Sequence, residues 1–77
     1  MMSISLEELK EGESAEVVEL EGGFGLQQHL TSLGISPGKI IRKVPVSRGR
    51  GPVMVEVEGN RVTIGKGMAS KVIVNPI

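Results

Sequence analysis

The run from Val53 to Ile64 constrains this chain more than any other. Val53, Val55 and Val57 alternate with Met54, Glu56 and Glu58, and Gly59-Asn60 separates them from Arg61-Val62-Thr63-Ile64. Such alternation sends one face of a strand into a core and the other toward solvent. The primed two-residue turns need positive φ, which glycine and asparagine adopt cheaply. The reading is a β-hairpin that turns at Gly59-Asn60.

The rest of the chain is built to the same small scale. Its 77 residues hold one domain, 1–77, with room for a small core. Phe24 is the single aromatic residue, and there is no cysteine. The core therefore rests on Val, Ile, Leu and Met, the β-branched members of which favour strands. Without thiols there is no thiolate metal cage or redox centre, and nothing argues for an oxidising compartment. The opening MMSISLEELKEGE has neither a basic start nor an apolar run, and apolar runs elsewhere are only strand-sized. A cytoplasmic location is expected.

Ser5-Leu6-Glu7-Glu8 has capping-box spacing and predicts one helical turn through Leu9, stopped at Gly12. Ala15 to Leu20 reads as a strand, but Val17, Val18 and Leu20 cannot all face inward, which calls for a bulge near Val18. After Gly22-Gly23, Leu26, Leu30 and Leu33 recur at helical spacing over Phe24 to Leu33. Gly34 stands where a left-handed C-cap belongs, Ile35 can pack back on the helix end, and Pro37-Gly38 turns the chain. Lys39 to Val46 is strand-like and ends near Pro45. Ser47 to Gly51 forms a loop, and Pro52 precedes the hairpin. Gly65 to Ala69 makes a tight turn or a single helical turn, and Lys71 to Asn75 is a last strand. Five short strands with one helix after the first predict a mainly β fold, a small closed or half-closed barrel.

Net charge is zero, yet charge is sorted along the chain. Residues 1–21 carry seven of the nine acids and one base, so the balance is −6 there and +6 in the remainder. Lys39, Arg42, Lys43, Arg48 and Arg50 lie close together with no acid among them. The simpler reading is that the two halves neutralise each other across strands; the sharper one is a basic strip that receives an acidic partner.

The order LEELKEGESAEVVELEGG, LTSLGISPGKII, GPVMVEVEGNRVTIGKGMASKVIV resembles the FeoA family of ferrous-iron transport accessory proteins across nearly the whole chain. Leu33-Gly34-Ile35, Pro37-Gly38, Gly51-Pro52-Val53 and Gly59 carry that resemblance. It implies an SH3-like barrel and a cytoplasmic protein that assists or regulates a membrane ferrous-iron transporter with a cytosolic GTP-binding domain. It also implies kinship with the SH3-like C-terminal domain of some iron-dependent repressors, where side chains supplement metal sites. The matched residues are mostly turn formers and core positions, so the resemblance speaks of fold before site.

Enzyme readings find no support. No serine, histidine and acid form an arguable triad, and the glycine-lysine segments Gly34 to Lys39 and Gly59 to Lys66 lack phosphate-loop spacing and a following Ser or Thr. Gly65 and Gly67 read as an ordinary turn rather than an anion nest. For metal, His29 is the one imidazole, at the border of the leucine face, where a partly exposed structural histidine is the simpler reading. As a ligand it would need Gln28, Ser32 or a first-strand glutamate to complete a weak, open site for Fe(II) or another divalent transition metal. No cofactor is required. Nucleic acid is not expected, because stacking platforms are missing. The expected function is protein contact, through Met54 and Met68 as an adaptable apolar patch with Lys43, Arg48 and Arg50 as a basic rim. Both methionines read equally well as core fillers. An open barrel edge would also allow self-association.

Overall fold

The computed structural model describes residues 3–45 and 51–77. In chain order the elements are β1 (Ile4–Ser5), β2 (Ser14–Leu20), α1 (Phe24–Ser32), β3 (Ile40–Lys43), β4 (Val53–Val57), β5 (Asn60–Ile64), α2 (Lys66–Ala69) and β6 (Val72–Pro76). The strands form one sheet in the order β1-β6-β2-β3-β4-β5, every neighbouring pair antiparallel. Val17, Ile41, Val55, Ile64, Val72 and Val74, from five strands of that sheet, all belong to a single core cluster. A flat six-stranded sheet could not bring them together, so the sheet curls into a barrel around them. No polar or charged side chain is buried with them among the described residues.

The expected five strands become six because Ile4–Ser5 pairs with Ile73 and Val74 before the chain turns. The capping box forms, with the Ser5 N–H donating to Glu8 Oε1 at 3.0 Å and the Glu8 N–H to Ser5 Oγ at 3.3 Å. It closes a turn rather than a helix. The backbone bonds are i to i+3, Glu8 N–H to Ser5 O and Leu9 N–H to Leu6 O, and this tight winding drives Leu6 and Leu9 into the core together. The bulge lies where expected: the pairing of β2 with β6 shifts between Val17 and Glu19, which buries Val17 and Leu20 and leaves Val18 outside.

At its C-terminus α1 closes with the Schellman pattern. The Gly34 N–H donates to Thr31 O at 2.9 Å and the Ile35 N–H to Leu30 O at 3.0 Å, while Leu30 and Ile35 are fully buried. Gly34 has φ of 91°, and the next turn carries Pro37 in its second place and Gly38, at φ 94°, in its third. The Lys39 N–H to Ser36 O bond at 3.1 Å closes that type II turn.

The hairpin turn lies one residue earlier than the sequence predicts. Val57 pairs with Asn60, so Glu58 and Gly59 occupy the loop at φ of 52° and 82°, and Asn60 opens β5. Both registers keep the valines inward. The one adopted sets Glu56 opposite Arg61 and gives Val53 a cross-strand partner in Ile64. In that register Glu56 takes both Arg42 and Arg61 and leaves Glu58 to Lys39, ion pairs set against the modest strain of a left-handed glutamate.

Candidate functional site

The described charges divide into a paired set and an unpaired one. On the outer side of β3, β4 and β5, Arg42 and Arg61 both bond the Glu56 carboxylate, at 3.1 Å and 3.3 Å, and Lys39 reaches Glu58 at 2.6 Å. The hydrogen bond from Arg42, then that from Arg61, holds the Glu56 carboxyl below the usual carboxylate range. The expected neutralisation between chain halves is therefore mostly replaced by pairing inside the basic half. Register is the cause, because β3, β4 and β5 are consecutive neighbours that bring Arg42, Glu56 and Arg61 into one cross-strand row. Lys66 to Glu7, at 3.8 Å, is the one ion pair among the described residues that joins the halves.

Lys43, expected on a basic rim, is half-buried and donates to the Glu7 and Leu9 carbonyls at 2.9 and 2.7 Å. It staples the N-terminal turn to β3. Met54 stands half-exposed on the outer side of β4 opposite Thr63, whereas Met68, on α2, packs partly against the core cluster. The two methionines thus hold different relations to the core. Arg48 and Arg50 lie outside the described residues. Gly34, Pro37, Gly38, Gly59 and Asn60 stand in or beside the turns above, and exposed Pro52 directly precedes β4.

His29 is exposed on α1, where its carbonyl accepts from Ser32 Oγ at 2.6 Å. Among the described residues no three His, Cys, Asp or Glu side chains are grouped as a metal site would need. No helix among them is long and apolar enough to cross a membrane.

What sequence reasoning passed over is Phe24. It opens α1 on the side away from Leu30, and its ring is 75% exposed. With Gln27, Gln28, Thr31 and Ser32 it lines an open cavity of about 520 Å³ on the outer face of the helix. Gln27 Nε2 donates to the Gly22 carbonyl at 2.9 Å and ties this first turn to the end of β2. The signal was in the spacing: Phe24 falls opposite the stripe of Leu26, Leu30 and Leu33 on a helical wheel.

This curled, antiparallel six-stranded sheet with a short helix between its second and third strands is an SH3-like barrel. The FeoA domain matches residues 4–76, and the chain belongs to the FeoA family. It is similar to the "Putative Fe(2+) transport protein A" of Methanocaldococcus jannaschii, 39% identical over 66 residues that cover 84% of this chain and 77% of that protein. The crystal structure of an iron uptake regulatory protein, FeoA, superposes with a TM-score of 0.90 at 37% identity, covering 99% of this chain and all of that one. The IdeR of T. acidophilum shares the fold over 35% of its own length, with a TM-score of 0.86 at 20% identity.

Proposed function

We propose that this protein is a cytoplasmic accessory of ferrous-iron uptake that acts by contact, docking on the cytosolic GTP-binding part of a membrane Fe(II) transporter. The family match over residues 4–76 carries this reading. The chemistry agrees with it: a core of aliphatic side chains, with no polar group buried among the described residues, offers an exterior to hold rather than a site to react. Iron is the cargo of the partner, and GTP is the partner's ligand.

The test is a pull-down of the transporter's purified cytosolic portion by the tagged full chain, with and without ferrous iron. Specific retention supports the reading. No retention in either condition overturns it. The likeness to repressor barrels supports a second reading, a stand-alone metal-responsive module, for which calorimetry with Fe(II) or Mn(II) would have to show saturable binding that is lost in His29→Ala.

A further inference from the structure

From Gly22 to Gly38 the sequence has no Asp, Glu, Lys or Arg, and the middle of that stretch is α1, with Phe24 exposed at its start. On the outer face of the helix the ring stands beside amides and hydroxyls that need no counter-charge. A large exposed ring is costly in water and is the side chain that most often anchors an interface, whose centre is depleted in charge. Before Gly22, the outer side of β2 carries Glu16 and Glu19, and Glu21 follows just past the strand's end, all three exposed. None of the three makes an ion pair with a described residue. Lys71 lies beside Glu21 through the Glu21 N–H to Lys71 O bond, yet no ion pair joins their side chains. Described bases elsewhere are largely committed: Lys39, Arg42, Arg61 and Lys66 to carboxylates, Lys43 to carbonyls.

We infer that the Phe24 ring and the uncharged outer face of α1, edged where the chain enters the helix by Glu19 and Glu21, form a docking surface for a protein bearing an apolar pocket bordered by lysine or arginine. The charge pattern selects that partner. A neutral centre excludes buried unpaired charge, and two carboxylates on its margin, in no ion pair with a described residue, attract cations and repel an acidic rival. A second copy of this chain would set carboxylate against carboxylate along the same margin. The inference rests on the transporter reading and assigns its surface: in that reading the basic-edged pocket lies on the cytosolic part of the transporter. It also reverses the sign expected from the sequence, where the rim was basic.

The experiment measures affinity of the full chain for that purified cytosolic part by interferometry at low and high salt. The variants are Phe24→Ala, the double reversal Glu19→Lys with Glu21→Lys, and Arg48→Glu with Arg50→Glu. Since Phe24 is exposed, circular dichroism and the urea midpoint should be unchanged in F24A. Affinity should fall at least tenfold in F24A and at least threefold in the glutamate reversal, which should also flatten the salt dependence, with the arginine reversal near wild type. Wild-type binding that survives both F24A and the glutamate reversal overturns this surface and leaves the functional reading standing. Wild-type binding that is lost only in the arginine reversal does the same in favour of a basic rim. Absence of wild-type binding overturns both. Sedimentation showing a dimer that F24A dissolves, or F24A-sensitive binding to phosphatidylcholine vesicles, assigns the ring to a second copy or a lipid surface and also overturns the proposal.

Discussion

On the side of the barrel formed by β3, β4 and β5, Arg42 and Arg61 share Glu56 and Lys39 holds Glu58, while Glu16 and Glu19 along β2 and Glu21 just past its end form no ion pair among the described residues. Both sides lie over the same aliphatic core and both carry glutamate. They differ in which strands the topology makes neighbours. On one side two strands with bases flank a strand with acids; on the other, β2 lies between β6 and β3 in a register that puts Glu16 opposite Asn75 and Ile40, and Glu19 opposite Ile73. Charge sorted by sequence half therefore says little about charge sorted in space. A side whose charges are paired at home has little to offer a partner, and a side whose charges are not is where electrostatic recognition has room to act.

The largest test of this contrast attacks what the two sides share. Ile41 is 1% exposed in β3, the strand between β2 and β4. Ile41→Ala should cost about 2–5 kcal/mol of stability, from lost burial plus the cavity left behind. Urea denaturation reads the loss, and amide exchange should accelerate in β2 and β5 together. Acceleration confined to one strand would mean that the two sides do not stand on a single core. A smaller, local effect is expected at the end of α1. Gly34→Ala places a side chain at φ 91°, with the new Cβ in ordinary contact at 3.5 Å from Val57 Cγ1, so backbone strain dominates over clash. The cost should be about 1–2 kcal/mol. In a domain of this size that lowers Tm by roughly 4–16 °C.

How far these features were legible in the sequence differs between backbone and surface. Val17 and Leu20 against Val18 announced a bulge, and the triplet Leu33-Gly34-Ile35 announced the Schellman end of α1, because each rests on residues close together in the chain. The hairpin turn was misplaced by one residue because Gly59-Asn60 and Glu58-Gly59 leave the inward valines equally well placed. The structure adopts the register in which Arg61 meets Glu56 and Ile64 meets Val53, a choice that turn preference does not encode. The N-terminal turn misled for a related reason: capping-box residues at Ser5 and Glu8 satisfy a turn as readily as a helix when Lys43 takes up the Glu7 and Leu9 carbonyls. The basic rim failed to appear at Lys43 because a lysine thirty-odd positions away in sequence found carbonyls to hold. The exposed ring of Phe24 could have been read from the helical wheel; the unpaired state of Glu19 needed the register of β2 with β6.

The finest test concerns Glu56 itself. Bonds from Arg42 and Arg61 stabilise its ionised form, so its folded pKa lies below the value it has in the unfolded chain. By linkage, the stability this carboxylate contributes is present above the unfolded value and is lost as pH falls through the depressed folded value. The difference in urea midpoint between the wild type and Glu56→Gln should therefore be greatest at neutral pH and shrink on acidification across the carboxylate range. It should also shrink with added salt, because the three side chains are solvent-exposed in part and screening weakens them. The effect is the smallest of the three, as for any surface ion pair, but its sign is specific. Glu19→Gln, on the unpaired side, should leave the neutral-pH midpoint where it is. An equal loss in both variants would show that the β2 carboxylates are also engaged, and the contrast between the two sides would disappear.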